Sequence, residues 1–151
     1  MSAVHLHLIS NHLPIIFPFI GVIILLIGGI INSSVTIRVA LFMFVLGSVF
    51  TIPAFFSGEE AEHIVEHIPG IEEHYIEEHE EIAEKFALVS YLLGGIALVA
   101  LWANWKEKSF TKTTTIVTTI IAIITIVLAF QTGKTGGEIR HPEIRAIEVS
   151  E

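Results

Sequence analysis

FALVSYLLGGIALVALWANW, residues 86–105, is the stretch that decides the fold. It carries no charged side chain from end to end. At 1.5 Å of rise per residue the run makes a helix about 30 Å long, which matches the hydrocarbon core of a bilayer. Trp102 and Trp105 stand at its end, where indole rings suit a membrane–water interface. Three further runs pass the same length test, at 13–31, 35–56 and 113–130. The second holds Arg38 three residues inside its start, within snorkelling reach of water. The fourth is rich in Thr, whose hydroxyl bonds back to its own helix or across to a neighbour. The chain is 52% hydrophobic, with mean hydropathy +0.73. This reading predicts one all-α domain, a four-helix transmembrane bundle of up-down-up-down topology.

Between the second and third runs lies a segment of a different kind. Ser57–Glu84 holds 11 of the 16 acidic residues, all of them Glu, and no Lys or Arg. It accounts for the net charge of -8. Ile64, Ile68, Ile71 and Tyr75 recur at helical spacing, and Pro69-Gly70 interrupts them. The spacing predicts a Glu-rich helical hairpin over 57–85: a short helix at about 59–68, a turn, and a helix from about 71 running into the third span. Pro53 is expected to kink the second span. Pro14 and Pro18 sit in the first turns of the first span, where a missing N–H costs least. In the tail, 131–151, Gly133, Gly136 and Gly137 are expected to turn the chain back over the bundle.

Composition excludes several classes. There is no cysteine, and with it go disulfides, Cys-ligated iron–sulfur clusters, thiolate zinc, covalent haem attachment and thiol catalysis. The acidic segment repels nucleic acid and attracts cations or a basic partner. No Lys or Arg precedes the first run and no small-residue cleavage site follows it, so residues 1–12 read as retained rather than as a leader. Arg38, Lys106, Lys108 and Lys112 lie at the two short connections, which places those in the cytoplasm. Both termini and the acidic segment then face outward, the periplasmic side in a bacterial inner membrane. Lys134, Arg140 and Arg145 in the tail argue the other way.

All eight histidines lie on that outward side, beside the Glu cluster. Imidazole and carboxylate are the ligand set of borderline divalent metals and of redox iron. Bundle topology brings the start of helix 1, the end of helix 2, the start of helix 3 and the end of helix 4 to one face. Those corners carry His12, Glu59 with Glu62, His79, and His141. The expectation is a transition-metal site (Fe, Mn, Zn or Cu) built from these five, with His12 and His79 as the axial pair if the cofactor is haem b. His7, His63 and Glu80 are secondary candidates, Glu80 as an orienting partner of His79. Surrounding Glu is expected to raise the histidine pKa values. Each residue also has a plainer reading: His12 as an interfacial side chain, His5 and His7 as part of a frayed terminus, the Glu residues as a solvated face. His63-Ile64-Val65-Glu66-His67 matches one zinc-peptidase pattern, but Pro69 ends the helix just after it. Gly133-Lys134-Thr135 is no phosphate loop, because Leu128 stands where the upstream glycine is needed.

Asn11-His12-Leu13-Pro14 with Phe17-Pro18, Gly58-Glu59-Glu60-Ala61-Glu62, His79-Glu80 and Gly136-Gly137-Glu138-Ile139-Arg140-His141-Pro142-Glu143 resemble, in the same order, the motifs of a bacterial family of small four-span membrane proteins with His and Glu at one face. Relatives of that type are sometimes joined to Rieske or cytochrome c domains, which implies an association with respiratory electron transfer. The chain departs from the more distant pattern His-Phe-Pro, having Ile16 before Phe17-Pro18. The competing expectation is a structural or docking subunit of a membrane complex, itself a candidate homo-oligomer, whose acidic face binds a basic soluble protein.

Overall fold

The computed structural model describes residues 2–141, 143 and 145. Five helices follow one another: α1 (Ala3–Ser10), α2 (Leu13–Ile30), α3 (Ser34–Val65), α4 (Glu73–Trp105) and α5 (Thr111–Arg140). Counting α1 with α2 as one rod, four are long and apolar enough to cross a membrane. α2 packs on α3, α3 on α4, α4 on α5, and α5 closes weakly back on α2. The ring of neighbours is the four-helix bundle expected from the four apolar runs. α1 lies along α3.

Small and hydroxylated residues hold the bundle together, while large apolar ones point away from it. The centre is Leu25, Leu41, Phe44 and Leu93 with Ala97, Ala100 and Ala122. Ile23, Leu26, Phe42, Leu98, Ile120 and Val127 are exposed. Lipid tails are as apolar as leucine, so close packing and interhelical hydrogen bonds hold such helices. On the α3–α4 seam, Thr51 donates to Gly47 O (2.9 Å), leaving its oxygen to accept from Ser90 at 2.8 Å. One turn further along, Gly94 touches Ser48 so closely that a Cβ there would overlap the Ser48 side chain. Gly94→Ala should therefore cost about 1–3 kcal/mol by overpacking. Gly94→Ala with Ser48→Gly should recover most of it. Denaturant unfolding in detergent checks both, and equal stability of the two variants would contradict the packing account.

Two tight connections carry matching stops. After α2, Ser33 N–H reaches Gly28 O (2.9 Å) around Asn32 at φ 53°. After α4, Lys108 N–H reaches Ala103 O (3.0 Å) around Glu107 at φ 49°. Both are Schellman stops with a non-glycine residue at the left-handed position. Arg38 does more than snorkel. Its Nε donates to Asn104 Oδ1 at 2.7 Å, which ties the start of α3 to the end of α4.

Three expectations change at the opposite, acidic end. The second span and the short helix after it are one helix, α3, uninterrupted to Val65. The tail glycines make no turn, because α5 runs helical through all of them to Arg140. The N-terminus is not frayed: Ala3–Ser10 is a helix whose Ser2 side chain accepts from His5 N–H. The face it lays on α3 is Ala3, Val4, His7 and the buried Ser10, while Leu6 and Leu8 point outward, an arrangement that the histidine spacing alone did not disclose.

Candidate metal site at the acidic end

His79 sits on α4 about two turns outside the apolar run, and its ring lies against α5. Gly136 makes the contact possible, because a Cβ there would stand 3.0 Å from His79 Cε1. His79 Nδ1 is 3.0 Å from Thr135 Oγ1. Thr135 spends its own hydrogen on Gln131 O (3.1 Å) or Thr132 O (3.3 Å). Its oxygen is therefore an acceptor, and His79 Nδ1 carries the proton. That tautomer leaves Nε2 with a lone pair. Burial pushes the His79 pKa down to about 4, and the charge of His7 adds to the effect, against a smaller opposing contribution from Thr132. The imidazole is neutral at physiological pH. This reverses the expected direction, since burial and a neighbouring imidazole outweigh the one opposing contribution, the hydrogen bond to the Thr132 backbone.

His7 repeats the arrangement on the other side. Its Nδ1 lies 2.9 Å from Ala54 O, and a backbone carbonyl only accepts, so Nδ1 is again the donor and Nε2 the free nitrogen. Its ring rests on Gly58, where a Cβ would come within 3.1 Å of His7 Cε1. Two glycines in mid-helix, on α3 and α5, thus each admit one imidazole. His7 is within electrostatic reach of His79. It entered the sequence reading only as a secondary candidate. A glycine inside a helical pattern marks close approach, and Gly58 was the available signal for it.

The other candidates are placed differently. His12 is exposed at the N-cap of α2, without a side-chain capping bond. His141 is exposed and bonds Glu143 Oε1 at 2.9 Å. Glu59 and His63 are exposed, while Glu62 is half-buried. The Glu62 pKa is raised, first by burial and then by the charges of Glu80 and Glu66. Glu80 therefore faces Glu62 rather than orienting His79, whose Nδ1 belongs to Thr135. Among the described residues, no three or more His, Asp or Glu side chains gather as a ready-made metal cage. The expected five-residue convergence is absent among them: His12 at the start of α2 and His141 at the end of α5 are both exposed. One carboxylate was not foreseen. Glu138, on α5 one turn beyond Thr135, is 6% exposed, and its Oε1 has no hydrogen bond among the described residues, with Lys134 at 3.7 Å.

Arg145 fastens this end. It donates to Glu138 O (2.6 Å) and Ile139 O (3.1 Å), carbonyls left open at the end of α5, and to Glu72 Oε1 (3.0 Å). Its guanidinium stacks 3.7 Å from the Tyr75 ring. Arg145→Ala should cost about 2 kcal/mol, mainly through the carbonyl bonds. Lys should not rescue it, lacking the planar fork. Amide hydrogen exchange in the last turn of α5 checks this: unchanged protection would refute the clamp.

Compared with models of known families, with curated proteins and with solved structures, the chain matches none.

Proposed function

We propose that this chain is an integral membrane protein that binds a transition-metal ion at its acidic end through Nε2 of His79 and His7. One observation carries the reading. Both imidazoles have Nδ1–H committed to a protein acceptor and Nε2 left as a lone pair. Metal-ligating histidines are held in this way, because the second bond fixes tautomer and ring orientation. The low pKa of His79 supports it, since the ligand must be neutral to bind. Two imidazoles fall short of the three or four protein ligands of zinc sites. Water would complete the set, because no third His, Asp or Glu side chain gathers with them among the described residues. His12 and His141 move to the periphery of this proposal.

A bare ion (Fe, Mn, Zn or Cu) is favoured over haem b. Of the six glycines in the spans that could open a haem slot, four are filled, Gly21 by Phe44, Gly28 by Ile37, Gly47 by Pro18 and Gly94 by Ser48, while Gly29 and Gly95 have open space beside them. The family resemblance is the support for an association with respiratory redox chemistry, and the basic residues of the short connections are the support for an acidic end outside a bacterial inner membrane. Elemental analysis with an absorption spectrum of detergent-purified protein tests the proposal. One equivalent of metal without a Soret band is the expected result. Absence of both metal and Soret band favours the second reading, a docking subunit. That reading rests on the exposed Glu60, Glu66, Glu73, Glu77, Glu78 and Glu84, which suit a basic soluble partner through salt-sensitive attraction.

A further inference from the structure

The opposite end of the bundle carries a second, independent site. A cleft of about 480 Å³ opens there between the start of α3 and the α4–α5 connection. That volume is in the range of small-molecule sites. Lys108 and Lys112 line it, and no carboxylate does. Arg38 and Lys106 lie at the same end, where Glu107 is the one acidic residue among those described.

The donors there are set by the fold. α5 begins at Thr111 with no side-chain cap; Thr111 N–H bonds Lys108 O (3.1 Å), and the N–H groups of Lys112 and Thr113 in its first turn have no side-chain acceptor at the positive dipole end. Asn104, 7% exposed, also lines the cleft. Its Oδ1 is held by Arg38 Nε at 2.7 Å, which turns the amide so that Nδ2 is the remaining donor. Anions bind where orphan N–H groups, a helix N-terminus and ammonium groups converge.

The surroundings say which anion. Ile37 and Ile116 line the cleft beside its polar residues, so its wall passes from cationic to apolar. Trp102 packs near Phe110 with ring centroids 6.2 Å apart, and Lys108 Nζ stands 5.5 Å over the Trp102 ring. Trp102 and Trp105 are exposed at this end, as side chains of an interfacial belt are. A soluble anion has no use for an apolar wall, whereas a phospholipid has both parts. We infer that this cleft binds the phosphate of an anionic phospholipid headgroup, with Lys108 and Lys112 as its cations and Ile37 and Ile116 against the start of the acyl chains.

Native mass spectrometry of the full chain in neutral detergent tests this, with phosphatidylglycerol, phosphatidylcholine and inorganic phosphate as probes. One phosphatidylglycerol per chain should be retained, at least about tenfold better than phosphatidylcholine, whose choline the lysines repel. Lys108→Gln with Lys112→Gln should weaken it about tenfold or more. Lys106→Gln, outside the cleft, should stay within about twofold. Circular dichroism and gel filtration of each variant exclude misfolding as the cause of a loss. Equal retention of the two lipids, or of phosphatidylglycerol by wild type and the double variant, overturns the inference. So does an equal loss in Lys106→Gln, which marks a diffuse surface. Retention of inorganic phosphate without the lipid overturns the lipid assignment in favour of a soluble anion.

Discussion

Replacing His79 by alanine is expected to lower transition-metal affinity by at least about a hundredfold, because it removes a ligand rather than an orienting partner. The more discriminating variant is Thr135→Val. It keeps the ring, the volume and the Gly136 contact, and removes the acceptor that holds Nδ1–H 3.0 Å away. Losing an orienting partner of this kind costs roughly 10–100-fold in affinity. Thr135→Ser, which keeps the hydroxyl, should restore it. His74→Ala, five residues earlier on α4 and exposed, should change affinity by less than about twofold on the same reasoning. Isothermal titration of detergent-purified protein with Zn²⁺ measures all four. Equal losses for His74→Ala and His79→Ala would assign the affinity to the general acidic surface.

The second large effect is on pH. The His79 pKa is lowered from 6.5 to about 4 in the folded chain, chiefly by burial. Between those values the unfolded chain binds a proton that the native chain does not. The contribution of His79 is thus complete above pH 6.5 and is lost as pH falls to about 4. At 1.36 kcal/mol per pKa unit the loss is about 3 kcal/mol. Glu62, with its pKa raised, works in the opposite sense: its protonation on acidification relieves the repulsion from Glu80 and Glu66. The comparison is therefore made against His79→Asn, which retains Glu62. Denaturant unfolding at pH 7.5 and 4.5 should show a wild-type loss exceeding that of His79→Asn. Parallel losses would refute the burial argument.

The fold was legible because lipid imposes a coarse rule. A span needs about 20 apolar residues, and 86–105 with its three counterparts meet that requirement without any knowledge of packing. Helix ends were less legible where the tail glycines Gly133, Gly136 and Gly137 were read as a turn. Gly58, Gly133, Gly136 and Gly137 lie inside α3 and α5. Of these, Gly58 and Gly136 admit an imidazole from another helix, a tertiary role that looks the same in sequence as a turn. The site was legible only as an end of the bundle. Corner topology brought His79 into view but also His12 and His141, which are exposed at the start of α2 and the end of α5. His7 was obscured by its place in a short segment whose helix forms on α3. Neither the Thr135 acceptor nor the buried oxygen of Glu138 has a sequence signature, since both depend on which face of α5 meets α4.

Nitrogen-15 NMR of histidine-labelled protein titrated with Zn²⁺ tests the central claim most directly, because it reports each ring nitrogen separately. The predicted result is that two histidines, removed from the spectrum by His7→Ala and His79→Ala, shift together at Nε2 and saturate at one equivalent while their Nδ1 resonances remain protonated. Saturable shifts confined to other histidines, or coordination through Nδ1, would contradict it.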